Sequence, residues 1–243
     1  MASELTSSRE QEILDRCQEV ICYRFRSLEL LKSSLTHTSG ANTRLGSNER
    51  LEFLGDAVLG LITCEQLFLR FPEYEEGEMT KIKSAVVSST ACAQFSAEID
   101  LGSFLFLGRG MKSSSTLPAN LLADVFESIV AAIYLDGGME AVHPFVLRFV
   151  TPEIDRVVKD AANNNYKSLL QQVAQRDYGG TPKYQVLDEQ GPDHARSFKI
   201  AVVICGHKYP GAWGQNKKIA ESRAAQNAMA EINGEPIPFA SDF

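Results

Sequence analysis

Long apolar runs are missing from this 243-residue sequence. No stretch approaches the roughly 20 apolar residues that a membrane-spanning helix needs. The first residues, MASELTSSREQEILDR, are polar and mixed in charge, unlike the basic and then apolar start of an export signal. We therefore expect a soluble, unexported protein that works in the cytoplasm.

Regularly spaced cysteines are missing too. The sequence has five, an odd number, with no C-x-x-C pair and few histidines near them: Cys17, Cys22, Cys64, Cys92 and Cys205. Such spacing favours neither a disulfide framework nor a zinc site. We expect core thiols in a reducing compartment.

A general excess of basic residues is also lacking, since the net charge is −7. Taken whole, this argues against binding nucleic acid through a basic field over the entire surface. The charge is uneven, however: residues 1–150 hold 13 basic and 20 acidic residues, whereas residues 163–233 hold 9 and 6. An acidic body with a mildly basic appendage suggests two parts with separate functions.

The periodicity of apolar residues divides the chain at the same place. Spacings of three and four residues predict an all-α domain over 1–155, with breaks near 38–47, 73–78, 108–118 and 136–138. Small polar residues predict a linker over 156–164. Beyond it, a helix over 166–176, strands over 183–188, 196–204 and about 207–213, and a helix over 217–232 predict a small α-β-β-β-α domain spanning 165–234, with a tail over 235–243. One face of the second strand is apolar, at Phe198, Ile200, Val202 and Ile204, and the last helix carries an apolar alanine stripe at Ala220, Ala224, Ala228 and Ile232.

One stretch of the helical part, NERLEFLGDAVLG, carries acids at helical spacing. Glu49, Glu52 and Asp56 share one face, although a solvated helix start explains Glu49 equally well. Asp56 is the only charged residue between Phe53 and Ile62, and burying an unpaired carboxylate is costly. We therefore expect a buried Asp56 whose charge is compensated by a cation or by hydrogen bonds. The glycines at 55 and 60 are unfavourable in a helix, which predicts a close approach to that backbone.

A second stretch, LPANLLADVFESIVAAIYLDGG, repeats the pattern with Asp124 and Glu127 as the only charges between Leu121 and Leu135. Two apolar helices with inward-facing acids are typical of metal sites inside helical bundles. Four acids without histidine or thiolate favour Mg²⁺ or Mn²⁺, ions suited to phosphodiester hydrolysis. Di-iron oxidation is the alternative chemistry, but its Glu-x-x-His pairs are absent.

With both stretches in view, NERLEFLGDAVLG resembles the signature of ribonuclease III. Further landmarks follow in the order typical of that family: LTHTS at 35–39, EGEMTKIKSAVVS at 76–88 and LADVFESIVAAIYLDGG at 122–138. The resemblance implies a helical endonuclease domain followed by a double-stranded-RNA-binding domain. It also implies a homodimer that cleaves double-stranded RNA with Mg²⁺, leaves 5′-phosphate and 3′-hydroxyl ends, and processes ribosomal and other structured RNA precursors.

The resemblance also implies roles for single residues in the first domain. Four acids would bind metal: Glu52, Asp56, Asp124 and Glu127. Of these, Asp56 and Glu127 would be catalytic, with Glu127 the most critical. Glu49 and Glu76 would be auxiliary, although a merely exposed loop acid explains Glu76 equally well. Phe53 would pack into the partner subunit. Ser128, where many relatives have alanine, is a small departure that leaves the acids intact.

In the second domain the resemblance points to three contacts with duplex RNA. A helix face with Ser168, Gln171, Gln172 and Gln175 presents groups that can meet 2′-hydroxyls and base edges in a minor groove. His194 lies in a loop, GPDHARSF, similar to one that enters another minor groove. Lys217 and Lys218 begin a helix in NKKIAES, similar to a phosphate clamp. Trp213 and Ala212 depart from the usual glycine-rich pattern before this clamp, whereas Asn216 is a good N-cap.

Two other functions compete with the enzyme. An RNA-holding scaffold could keep both domains without catalysis, but degenerate relatives of that kind usually lose a metal-binding acid, and all four are present. A helical metal-binding dimer without RNA is disfavoured by the entire C-terminal domain. The sequence therefore favours a metal-dependent endonuclease.

Overall fold

The computed structural model describes residues 2–41, 43–108, 117–192 and 196–239. The chain divides into two compact units, with the division between Val157 and Val158. Residues 156–164, for which the composition predicts a linker, lie at this division and have helical backbone. Within the described ranges, none of the helices is both long enough and apolar enough to cross a membrane.

The first unit is helical, as the spacing of apolar residues predicts. Its elements are α1 (Ala2–Ile21), α2 (Leu28–Leu35), α3 (Glu49–Arg70), α4 (Glu76–Val86), α5 (Ser89–Glu98) and the first part of α6 (Ala119–Tyr178), with 3-10 turns at Arg44–Gly46 and Leu101–Phe104. The last part of α6 belongs to the second unit. The acidic break predicted at 73–78 ends early, because α4 begins at Glu76. Glu75 and Glu78 form a capping box there, in which the Glu75 N–H donates to the Glu78 carboxylate at 3.1 Å.

The predicted helix end at 136–138 is a one-residue interruption inside α6. Gly138 has a φ of 74°, outside the helical region, and the helix resumes directly after it. The Asp136 carboxylate accepts hydrogen bonds from the Tyr23 hydroxyl at 2.8 Å and from the N–H groups of Arg26 and Ser27, both at 2.9 Å. These bonds attach the interruption to the turn between α1 and α2.

Aromatic rings fill the core of the first unit beside α6. Phe126 is fully buried and packs against Phe95, Phe145 and Phe149, with ring centroids 5.2–5.7 Å apart. Because Phe126 points inward, the next residue, Glu127, lies at the edge of the core.

The second unit is a small antiparallel sheet with helices on it, as predicted. Its strands are β1 (Lys183–Gln190), β2 (Ser197–Ile204), β3 (His207–Lys208) and β4 (Ala212–Gly214), followed by α7 (Lys217–Asn233). β1, β3 and β4 all pair with β2. The single strand predicted over 207–213 is therefore wrong: it is two short strands separated by Tyr209–Gly211, where Pro210 has no N–H to donate to a ladder.

The faces predicted to be apolar do form the core of the second unit. Ile200, Val202 and Ile204 of β2 pack with the alanine stripe of α7, and Phe198 and Ile232 lie at the edge of this cluster. Leu170 and Ala174 complete it from the end of α6. Their neighbours on the opposite face of α6 are consequently left to solvent.

Candidate active site and nucleic-acid interface

α3 and α6 cross in backbone contact at the candidate site. A Cβ atom placed on Gly55 would lie 1.8 Å from the carbonyl oxygen of Glu127, so only glycine permits this approach. The close approach predicted at Gly55 is therefore confirmed. The same prediction is wrong at Gly60, because a Cβ atom there would lie 3.5 Å from the Lys83 side chain, an ordinary van der Waals distance.

A buried hydroxyl forms a second connection between the two helices. Ser128 donates to the carbonyl of Asp124 within α6 at 2.7 Å and lies 3.3 Å from the carbonyl of Asn48, directly before α3. Together, the contacts of Gly55 and Ser128 bring the acidic parts of α3 and α6 side by side.

The acids occupy the rim of this crossing. Glu49, Glu52, Asp124 and Glu127 are half-buried. The expectation of a buried Asp56 is wrong, because its side chain is exposed. The apolar neighbours that suggested burial include surface residues, above all Phe53, which is 83% exposed.

The pKa values show that these carboxylates act on one another. Burial raises the pKa of Glu127 to about 7, with further increases from the charges of Asp56, Glu52 and Asp124. Burial likewise raises the pKa of Glu52, helped by Asp124, Glu49 and Asp56. The four acids named from the sequence thus form one electrostatic cluster, with Glu49 at its edge.

The donor set of this cluster fits a hard divalent cation. All of its ligand atoms are carboxylate oxygens, which Mg²⁺ and Mn²⁺ prefer, and a cation would relieve the repulsion that raises the pKa values. In the described part of the chain, no group of three or more His, Cys, Asp or Glu side chains already converges as ligands would. Holding an ion therefore requires the carboxylates to rotate toward one another.

Two residues that the sequence did not identify also act on the cluster. Burial raises the pKa of Asp124, and the nearby His37 imidazole opposes this rise. The Cys92 thiol is fully buried and hydrogen-bonds to Glu127, which lowers the pKa of that acid. The only sequence feature that could have pointed to His37 is its place in the LTHTS segment. No pattern in the sequence connects Cys92 with the site.

The two auxiliary acids lie apart from the crossing to different degrees. Glu49 contacts the exposed Arg44 guanidinium at 3.4 Å and contributes to the raised pKa of Glu52. Glu76 begins α4, where it accepts a hydrogen bond from the Thr80 hydroxyl at 2.9 Å. It is not among the charges that shift the pKa values of Glu52, Asp124 or Glu127.

An apolar surface begins one residue from Glu52. Phe53 projects beside an open cavity of about 720 Å³. Leu45, Leu54 and Leu135 line this cavity, and Leu45 and Leu135 are 77% and 51% exposed. Exposed side chains of this size grouped on one face are typical of a surface that another protein covers.

The polar surface predicted on the second unit is present on two elements. On α6, Ser168, Gln171, Gln172 and Gln175 are all exposed. At the start of α7, Lys217 and Lys218 are exposed, and the Asn216 side chain caps the helix by accepting the Ile219 N–H at 2.9 Å. The cap predicted at Asn216 is confirmed, whereas His194 lies outside the described residues.

The turn before the lysine pair forms despite its unusual residues. Trp213 pairs with Lys199 across the sheet, and its carbonyl accepts a hydrogen bond from Arg223 at 2.8 Å. Ala212 is fully buried. Gly214 is required, because a Cβ there would lie 2.3 Å from the backbone nitrogen of Ala220.

Two family models match the chain, one for each unit. Residues 27–154 match the Ribonuclease-III-like family, and residues 166–232 match the double-stranded RNA binding motif. Two curated relatives are both called Ribonuclease 3. The protein from Rhodopirellula baltica is 47% identical over 229 residues, covering 94% of this chain and 86% of the relative, and that from Symbiobacterium thermophilum is 41% identical, covering 88% and 92%.

A solved structure supports the fold of the first unit. The nuclease domain of a ribonuclease III from Campylobacter jejuni is 32% identical and superposes with a TM-score of 0.54, covering 58% of this chain and 97% of that domain. In that domain, a region involved in dimer formation shows structural flexibility.

Proposed function

Because the chain belongs to the ribonuclease III family of endoribonucleases, we propose that it hydrolyses double-stranded RNA with Mg²⁺, for which Mn²⁺ can substitute. The observation that carries this proposal is the contact of Gly55 with the Glu127 backbone, which places acids of α3 and α6 in one cluster. A bound divalent ion supplies an activated water and stabilises the leaving oxygen.

The chain's own residues have distinct tasks in this proposal. Glu52, Asp56, Asp124 and Glu127 would hold the cation beside the crossing of their two helices. Water adds to phosphorus and the P–O3′ bond breaks, so one product keeps a 5′-phosphate and the other a 3′-hydroxyl. Glu49 supports the α3 side of the cluster, and Glu76 is auxiliary.

The second unit brings the duplex to the site. Its exposed glutamines and Ser168 are suited to 2′-hydroxyls and base edges of one minor groove, and His194 to another. Lys217 and Lys218 hold the phosphates between these grooves, where the helix N-terminus adds its own positive end. This readout of duplex shape suits stems within ribosomal and other structured RNA precursors. All five cysteines are free, which fits a cytoplasmic protein. The expectation of core thiols holds for Cys17 and Cys92 and is wrong for Cys22, Cys64 and Cys205, which are exposed.

We further propose that two copies associate through the apolar surface around Phe53. A second copy offers both a projecting Phe53 and a cavity beside it, so each subunit can fill the other's cavity. Light scattering of wild type and Phe53→Ser tests this, with Val186→Ser in the second unit as a control. A dimer in wild type and control, but a monomer in Phe53→Ser, is expected; a dimer in all three contradicts this interface.

A direct assay tests the catalytic proposal. Purified protein is incubated with a long RNA duplex or the matching single strand, with Mg²⁺, with Mn²⁺ or with a chelator. We expect cleavage of the duplex alone, only with a metal, and products that need phosphatase treatment before their 5′ ends can be labelled by a kinase. Equal cleavage in the chelator contradicts the metal requirement, and equal cleavage of the single strand contradicts the substrate.

A further inference from the structure

The segment Thr36–Ser39 lies where α3 begins and α6 passes. The Thr36 carbonyl accepts the Asn48 N–H at 2.9 Å, and the Asn48 carbonyl lies 3.3 Å from the Ser128 hydroxyl. Ser128 is bonded in turn to Asp124. Short contacts therefore connect the segment to the residues that carry the acid cluster.

On its other side the segment is bonded to residues 106–108. The His37 N–H donates to the Phe106 carbonyl at 3.2 Å, and the Gly108 N–H donates to the Ser39 hydroxyl at 3.1 Å. A Cβ on Gly40 would lie 2.4 Å from the carbonyl oxygen of Phe106, and one on Gly108 would lie 2.3 Å from the carbonyl oxygen of Ser39. Such tight packing gives the backbone of His37 little freedom to move.

The hydrogen bonds of the His37 ring determine which nitrogen carries the proton. Nδ1 accepts the Ser39 N–H at 3.2 Å and lies 2.9 Å from the Ser39 hydroxyl. A backbone N–H can only donate, so Nδ1 is the acceptor and the neutral ring carries its proton on Nε2. The Nε2–H therefore donates to the Thr38 hydroxyl at 3.3 Å, a long bond that a charged phosphate oxygen can replace, and the hydroxyl keeps its own hydrogen to donate.

These donors belong to half-buried residues beside a cluster whose negative charge repels RNA. His37 is half-buried, and it acts electrostatically on Asp124. Cys92, the other donor in contact with the cluster, is fully buried and out of reach of a substrate. A phosphate entering a group of carboxylates needs hydrogen-bond donors near its own oxygens to offset their repulsion.

We infer that His37 is a substrate-binding residue of the active site, whose Nε2–H, beside the Thr38 hydroxyl, donates to a phosphate oxygen of the RNA strand being cleaved. The inference rests on the proposed nuclease function. The LTHTS segment then does more than support the fold. Ser39 holds the His37 ring in place through Nδ1, and the Nε2 side of the ring contacts RNA.

Two substitutions separate these tasks. His37→Gln keeps an N–H donor near the position of Nε2, whereas His37→Asn keeps an acceptor near Nδ1 for the Ser39 N–H but removes the distant donor. His143→Ala is the matched control, because His143 is paired with Glu65 away from the cluster. For each full-length variant, kcat/KM on a duplex and the melting temperature are measured with saturating Mg²⁺.

We expect His37→Asn to lower kcat/KM by about 10- to 100-fold, the usual effect of removing a hydrogen bond to a charged group. His37→Gln should stay within about threefold of wild type, as should His143→Ala. If His37→Asn retains as much activity as His37→Gln, the ring serves the fold alone and the inference is overturned. A wild type that cleaves no duplex in the same assay contradicts the proposed function instead.

Discussion

The two units solve the problem of binding a polyanion in opposite ways. The first gathers carboxylates at a crossing where two backbones touch, so the charge of each acid acts on its neighbours. The second spreads neutral donors and two lysines over exposed faces of separate elements, and each contact acts almost alone. In the proposed function, the clustered acids act on one phosphodiester bond, whereas the dispersed polar groups contact a long stretch of duplex.

This contrast predicts that cleavage and binding can be separated. Glu127→Gln should lower the cleavage rate by about 1,000-fold or more, because it removes a charged ligand from the proposed metal site. Duplex binding should change little, since the lysines and glutamines of the second unit remain. Cleavage assays and gel-shift titrations of the same preparation measure both quantities, and a parallel loss of binding would contradict the division of tasks.

Substitutions in the second unit should instead weaken RNA binding. Changing Lys217 and Lys218 to alanine should weaken duplex affinity about 30-fold at low salt. It should also reduce the slope of log affinity against log salt concentration by about one per lysine. Affinities measured over a range of salt concentrations check this. Lys183→Ala with Lys208→Ala serves as the control, since it removes the same charge from elsewhere in the second unit. An unchanged salt slope would exclude the clamp.

The acid cluster should also make stability depend on pH without metal. The folded-state pKa of Glu127 is about 7, above its ordinary value of 4.5, so its contribution to the free energy of unfolding is complete below 4.5 and is lost as pH rises through 7. After discounting for partial exposure, we expect Glu127→Gln to reduce this loss by about 1 kcal/mol.

Chemical denaturation at about pH 5 and about pH 8 in chelator measures this difference, and Mg²⁺ should diminish it at the higher pH. Glu76→Gln is the control, because Glu76 does not contribute to the shifted pKa values of the cluster. The same pH dependence in wild type and Glu127→Gln would show that the acids do not act together.

The smallest effect concerns the cap before the lysines. Asn216→Ala should destabilise the second unit by about 1 kcal/mol, because the Ile219 N–H loses its partner, whereas Asn216→Ser should stay close to wild type. Melting curves of the full chain test the difference. Equal melting temperatures for the two variants would show that the cap is dispensable.

The apolar periodicity predicted most of this fold. It identified the helical first unit and the buried faces of β2 and α7, because each pattern reports which side of a local element avoids water. It failed at 207–213, where a proline interrupts the strand, and at 73–78, where acids expected to break the helix cap it instead. Both wrong predictions depend on backbone hydrogen bonds, about which the spacing of apolar residues carries no information.

The candidate site was predicted in its acids but not in its surroundings. Helical spacing alone identified Glu52, Asp56, Asp124 and Glu127 as candidate site residues. It also predicted a buried Asp56, whereas the side chain is exposed in the structure. A residue that is apolar in sequence can still face outward, as Phe53 does. His37 lacked any helical spacing to connect it with the acids, so only the folded chain could bring it beside Asp124.

By itself, the sequence determined which residues are acidic, which helices carry them, and where the RNA-binding unit begins, since these follow from local chemistry and period. Only the tertiary structure decided that Gly55 meets Glu127, that the acids share one field, and that a histidine lies among them. Distances between elements remote in the chain depend on how whole faces pack, and no short stretch of sequence contains that information.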